Sequence, residues 1–419
     1  MRSLLLCILL FVGSGQAPGI CTNSPATLAD FAAMYPEPPA GENAAELFQK
    51  AASLLVMDDA YKDEHLMPWL AGKAPVPNQP LPPAMSNKLA AVVDRNQEAM
   101  EWFSKAVKLK QSRYPIDWSK GAEAELPHLS RTCLHSSQFI RWSALRHAAR
   151  GNEAAAVESV LVGFALATSL DMEPVLISQN VRATCIRRSA DGLNQVFNRV
   201  RLTEESLRKL RDVVNQLERC GTTGDRYCRA LAGEKVFIRN FFELPLEKRM
   251  ELLMWQQKFE RPFDELRKQV VAQHSADRSF LMETWEQMIR LWSKPYPERL
   301  KAETFASSAY QRALDKSLPV SSSWLHFSIR GEAKSLAMLR LMQAAIALEQ
   351  YRNDHHNLYP QFLSHLTPKY LESVPIDPFD GKPLRYRKLG RGYAMYSIGT
   401  NQSERVRSDL RFDVVEAPR

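Results

Sequence analysis

From residue 86 to about 316 the chain is a nearly unbroken train of amphipathic helical patterns, and this narrows the folds open to it. In the first of them Leu89, Val92, Val93, Met100, Phe103 and Val107 recur at helical spacing. Such a stripe has to be buried against a neighbouring element. Similar segments follow near 129–149, 153–170, 175–198, 204–219, 226–242, 246–273 and 277–292. Arg150-Gly151-Asn152 separates two of them, and Thr203 with Glu205 and Ser206 supplies a capping start. Turns this short make successive helices antiparallel neighbours, so the pattern predicts stacked helical hairpins.

Breakers set the boundaries. Residues 35–43 are rich in Pro, Gly and Asn, and Asn43 is placed to cap a helix beginning Ala44-Ala45-Glu46. Prolines at 68, 75, 77, 80, 82 and 83 exclude a helix over 68–83 and predict an extended connector. Pro295 and Pro297 interrupt the train before a further helix near 298–316. Pro319 and Ser321-Ser322-Ser323 mark its end. The expected division is a signal segment 1–17, a Pro-rich N-terminal segment 18–85 with one helix, a helical-hairpin domain 86–318 and a C-terminal domain 328–419. Residues 145–156 have the character of a tetratricopeptide turn, but no fixed repeat of ~34 residues recurs.

The N-terminus points outward from the cell interior. Met1-Arg2 is followed by a short apolar run, Ser3 to Val12, and then by Gly13, Ser14, Gly15 and Ala17. This is a secretory signal pattern, and its apolar run is too short to span a bilayer. Ile20 before Cys21 disfavours lipoprotein anchoring. The expected location is therefore periplasmic or extracellular, with no transmembrane helix in the mature chain. In an oxidising compartment cysteines pair. Cys220 and Cys228 flank a Gly-containing turn between two helical patterns and form the favoured disulfide, with Cys133 and Cys185 the residual pair.

Sequence motifs for chemistry are sparse. The chain holds 55 Lys and Arg against 47 Asp and Glu, a net charge of +8, but bases and acids are interspersed, as in Glu204 to Lys209. That is a solvated surface and not a nucleic-acid stripe. No C-x-x-C, H-E-x-x-H, G-x-S-x-G or phosphate loop occurs. His355 and His356 are adjacent, so on a helix they diverge by about 100° and do not share an ion. Pro127 and Leu129 place His128 at a helix start. Phe280, Leu281, Trp285, Ile289 and Trp292 read as a core face. Arg385, Tyr386, Arg387, Lys388, Arg391 and Tyr393 interleave bases and aromatics, a pattern suited to exposed strand positions or an anionic partner.

The C-terminal segment carries the one recognisable order of motifs. Residues 329–355 form a long helical pattern apolar on most sides, through Leu336, Leu339, Leu341, Met342, Ile346 and Leu348. Tyr351-Arg352-Asn353-Asp354, Tyr359-Pro360, Asp377-Pro378 with Gly381 and Pro383, and Tyr396-Ser397-Ile398-Gly399 follow. Asp380-Gly381 is a turn signal, and the alternating runs around it read as a strand pair. Over about 331–415 this order resembles the globular domain of type II secretion major pseudopilins. The resemblance implies a spine helix against a small antiparallel sheet. The overall expectation is a mainly α chain: stacked antiparallel helical hairpins followed by a small α+β domain.

Two departures bear on what the resemblance implies. Pseudopilins begin with a cleaved leader and an apolar stem, whereas here about 330 residues precede the related segment. The family also places calcium in the loop after Tyr-Ser-x-Gly. In that loop this chain offers Asn401 and Asp409, with Asp413 beyond it, and adds Arg405 and Arg407. Calcium wants about six to eight oxygens and net negative ligands, so this is a weak set. The favoured function is a non-catalytic scaffold or interaction protein of the bacterial envelope, with a protein partner. One alternative is an envelope-polymer hydrolase whose carboxylates lie in the helical domain, Asp171, Glu173 and Asp191 among them. The other is a calcium-stabilised structural module.

Overall fold

The computed structural model describes residues 27–57, 66, 75, 79–222, 225–256, 262–325, 330–399 and 410–415. The expected signal segment and most of the proline-rich connector lie outside the described residues. The first helix, α1 (Leu28–Met34), starts where the Asp30 carboxylate accepts from the Thr27 N–H at 2.8 Å. Asn43 caps α2 (Ala44–Leu54) as expected, its side chain accepting from the Ala45 N–H at 3.1 Å. Pro83, in the first position of α3 (Pro83–Arg95), needs no hydrogen-bonded N–H there. Then come α4 (Gln97–Ala106), a π-helical turn at Ser130–His135, α5 (Ser136–Ala149), α6 (Glu153–Thr168), α7 (Leu176–Phe197) and α8 (Glu204–Thr222).

α5, α6 and α7 pack on one another in pairs, the stacked antiparallel arrangement that short turns impose. α6 is the innermost of the three. Val157, Val160, Val162, Phe164, Leu166 and Ala167 are all buried around its circumference. α4, α5, α7 and α8 pack around it and leave only Ala154, Glu158 and Thr168 exposed.

A second apolar cluster is built by α9 (Asp225–Glu243), α10 (Leu246–Gln256), α11 (Phe263–Ala272), α12 (His274–Trp292), α13 (Lys301–Asp315) and α14 (Pro319–Trp324). Leu281, Trp285 and Trp292 are buried in it, as their spacing predicts. The single helix expected over 246–273 is two, with α11 opening after Pro262, which cannot continue a helical ladder. Gly233 lets α9 lie against the preceding loop: a Cβ there would stand 1.9 Å from the Pro174 carbonyl oxygen. Backbone cannot yield as a side chain does, so Gly233→Ala should cost about 1–3 kcal/mol or more, read as a lowered thermal midpoint with an unchanged circular dichroism spectrum.

The last part of the chain is a spine helix, α15 (Arg330–Asp354), and a small antiparallel sheet of β1 (Arg385–Leu389), β2 (Gly392–Tyr396) and β3 (Arg411–Val414) in that order. Leu336, Leu339, Leu341, Met342, Ile346 and Leu348 are buried on all sides of the spine. α7 and α8 pack along it and β3 contacts it. A row of polar pairs fixes its register on α8. Gln350 donates to Glu204 at 2.6 Å, Gln343 to Asn215 at 2.9 Å and Arg340 to Glu218 at 2.8 Å. The two sets of numbers run in opposite directions, so the helices are antiparallel. The apolar core of the first helices runs without interruption into this C-terminal part.

The strands differ in detail from the expectation. Asp380-Gly381 closes only a single bridge, Ile376 with Pro383, and the hairpin turns at Gly390-Arg391, between Leu389 and Gly392. A two-residue link of that kind suits the twist of paired strands, and Gly390 supplies the positive φ of 45° that it needs. β3 was not legible in advance because four residues, Arg411 to Val414, carry too short an alternation.

Candidate functional site

The carboxylates that sequence reasoning offered for catalysis are occupied by bases. Asp171 follows α6 and accepts from two guanidiniums, Arg182 on α7 and Arg226 on α9. Asp191 on α7 meets Arg141 on α5 at 3.0 Å. Glu173 is fully buried, with His128 Nε2 2.7 Å from its Oε1. The geometry brings none of the three to face another across a cleft; each joins one element to the next.

The Glu173 site has the composition of a nucleophile triad and the wrong connectivity for one. The Ser178 hydroxyl donates to Glu173 Oε2, while His128 holds Oε1. In a working triad the imidazole stands between hydroxyl and carboxylate so that it can take the hydroxyl proton. Here the carboxylate stands between, so the imidazole does not reach the Ser178 hydroxyl. Around it, the Tyr114 ring stacks on His128 with centroids 4.2 Å apart, and the Tyr114 hydroxyl lies 2.9 Å from Ser169 Oγ. Gln179 Nε2 donates to the Leu170 and Glu173 carbonyls at 3.0 and 2.9 Å. Burial pushes the Tyr114 hydroxyl well above the usual phenol range. The cluster is a polar joint closed inside the core, where its hydrogen bonds tie together the helices around it.

The cysteines of the residual pair come together as thiols. Cys133 lies in the π-helical turn and Cys185 on α7; both are buried and free, and Cys185 Sγ donates to the Cys133 carbonyl at 3.7 Å. Burial pushes the Cys185 thiol up to about 11 and raises Cys133 well above its ordinary value, so neither is a thiolate at neutral pH. Cys228 is buried on α9, and the side chain of Cys220, its favoured partner, lies outside the described residues.

Of the calcium candidates, Asn401 and Asp409 lie outside the described residues. Asp413 sits on β3 with its carboxylate on the Arg411 guanidinium, and burial raises its pKa. Among the described residues no three His, Cys, Asp or Glu side chains are grouped to hold a metal ion. His355 and His356 lie at the end of the spine helix. His355 stacks on Tyr351 with centroids 3.7 Å apart, and His356 takes a positive φ of 51°.

Sequence reasoning missed the residue that organises the C-terminal part. Asp377 is fully buried. One carboxylate oxygen accepts from the Phe379 N–H at 3.0 Å and the Ser397 hydroxyl at 2.9 Å. The other accepts from the Ile398 N–H at 2.9 Å and Arg385 at 3.3 Å. It thereby ties the turn after residue 377 to the start of β1 and the end of β2. Its signal was present in Asp377-Pro378 and Tyr396-Ser397, two motifs that only the fold shows to be partners.

Among the described residues a surface groove of about 870 Å³ lies between α2, α4, α6 and α8. Phe48, Val107, Leu161, Val213 and Leu217 line it, and Asp171 and Arg226 reach it from one end. Among the described residues no helix is long and apolar enough to cross a membrane. Comparison of the chain with family models, with curated proteins and with solved structures returns no match.

Proposed function

We propose that this is an exported, non-catalytic interaction protein of the bacterial envelope, whose C-terminal part is a pseudopilin-like module carried on a helical scaffold. The observation that supports it is the setting of the spine helix. A helix laid against a small antiparallel sheet is the arrangement that the motif order implies. Here α7 and α8 pack along that helix and share its core. The module is then held on the scaffold as a presenting surface and does not enter a filament as an ordinary subunit. The burial or ion pairing of Asp171, Glu173 and Asp191 favours contact over hydrolysis.

The exposed side chains Leu358 and Phe362 on the module supply the test. The full chain and a full-length Leu358→Asp, Phe362→Asp variant would be used as bait in bacterial envelope extract. Secretion or pilus components recovered by the wild type and lost by the variant are the expected result. An identical catch with both baits, or an empty one, overturns the adaptor reading.

A further inference from the structure

The sheet treats its two edges differently. The outer edge of β3 is closed by α7. Asn198 Nδ2 donates to the Asp413 carbonyl at 2.7 Å, and its Oδ1 accepts from the Val415 N–H at 3.0 Å. Asn194, with its amide oriented to satisfy both groups, donates to the Asp413 carbonyl at 2.9 Å and accepts from the Asp413 N–H at 3.0 Å. Two side chains thus stand in for a fourth strand.

The outer edge of β1 is met only at its start, where the Leu384 N–H donates to the Pro375 carbonyl at 3.1 Å; beyond that no described group covers it. Asp413 turns its backbone groups outward, away from its cross-strand neighbour Ala394. Outward and inward residues alternate in an antiparallel ladder. Ala394 therefore bonds to Arg387 across β1 and β2, and Tyr386 and Lys388 turn their N–H and C=O groups outward. Among the described residues no backbone group pairs with these. The side chains along this edge are of one sign: Arg387 is exposed, Lys388 half-buried and Lys382, just before the strand, exposed. The Tyr386 hydroxyl donates to the Pro360 carbonyl at 2.7 Å, which holds the segment around Pro360 at the tip of that side chain. There Leu358 and Phe362 are 60% and 61% exposed.

We propose that the β1 edge receives an extended strand of a partner protein in which carboxylates alternate with apolar residues. Main-chain bonds to Tyr386 and Lys388 would hold the strand, and side chains would choose it. Arg387, exposed on one face of β1, would oppose the carboxylates favourably, and the alternating apolar residues would fall on the opposite face with Tyr386. A second copy of β1 is disfavoured because it would set the same bases against one another, the usual way in which charge guards an edge. Leu358 and Phe362 offer apolar contact beside the strand. The proposal rests on the module being a contact surface, and it names the chemistry of what is contacted.

The probe is a capped peptide alternating valine and glutamate, with a valine–lysine peptide as control, and the protein is the full chain. Binding is read by fluorescence anisotropy at low ionic strength, and amide exchange by mass spectrometry over residues 384–391. In the free protein the Tyr386 and Lys388 amides should exchange fast. The glutamate peptide should bind and slow them; the lysine peptide should do neither. An Arg387→Glu, Lys388→Glu variant should bind the glutamate peptide about tenfold more weakly or worse, since close charges steer and select such contacts. Protection of the two amides before peptide is added would mean that the edge is already filled, and would overturn the proposal. So would failure of the glutamate peptide to bind or protect, or unchanged binding by the charge-reversed variant. If the wild type still captures secretion components while these results fail, only the edge is lost; if both fail, the reading beneath it goes too.

Discussion

A chain ended after Leu325 will not hold the fold of the remaining helices. The spine helix removed with it buries Leu336, Met338, Leu339, Leu341, Met342, Ile346 and Leu348. Fully burying a side chain of this size contributes ~1.5–3 kcal/mol. The total is on the order of 10 kcal/mol or more, as large as the whole stability of a typical domain, ~5–15 kcal/mol. The cut also bares α8, where Leu207, Leu210, Val214 and Leu217 form one stripe of the shared core. The partners of Arg340, Gln343 and Gln350 on that helix would be stranded as well. The expected product is an aggregating or molten chain that binds an apolar dye strongly and elutes broadly in size exclusion. A sharp monomeric peak with cooperative unfolding would show that the helices stand alone. The same reasoning is why the binding experiments above use full-length point variants.

Asp377→Ala should be the most damaging single change in the C-terminal part. The carboxylate has no exposed surface and serves two backbone N–H groups, one hydroxyl and one guanidinium. Its removal leaves the buried Phe379 and Ile398 donors without an acceptor and Arg385 with one carboxylate fewer. Removing one partner of a buried, hydrogen-bonded ion pair costs about 3–5 kcal/mol. Because Asp377 joins the turn to both β1 and β2, the loss should be local at first. Amide exchange at Met395 and Phe412 should accelerate while that at Val160 and Leu166, inside α6, stays slow. Asp377→Asn should recover part of the stability through its remaining carbonyl oxygen. Equal acceleration in α6 would show that the module has no separate opening. An unchanged rate at Met395 and Phe412 would show that the turn is held by its backbone bonds alone, Gly381 N–H to Asp377 at 2.9 Å among them.

The architecture was legible because it rests on periodicity. Helical spacing at 86–316, the cap at Asn43 and the all-round apolar character of 329–355 each express a local rule that packing then obeyed. Pro83, which closes the proline run and opens α3, bounded an element by the same kind of rule, removal of a backbone donor, whereas the break at Pro262 inside the expected 246–273 helix was not read. The site residues were less legible. Asp171, Glu173 and Asp191 were visible as acids, but an acid becomes a catalyst or a brace according to what faces it. Arg226 stands 55 residues from Asp171 in the chain. His128 was readable as a helix start and not as the partner of Glu173.

The sequence alone determined the mainly helical class, the hairpin stacking and a spine helix followed by strands. These follow from backbone geometry and from apolar spacing, which act over one or two turns. Only the tertiary structure decided that the spine belongs to the same core as α7 and α8, that Ser178 is cut off from His128 by Glu173, and that α7 closes one edge of the sheet through Asn194 and Asn198 while no described backbone group pairs with Tyr386 and Lys388 on the other. Each of these depends on groups far apart in the chain meeting where water is excluded. There a partner three ångströms away, and not the residue's own chemistry, sets what a polar group can do.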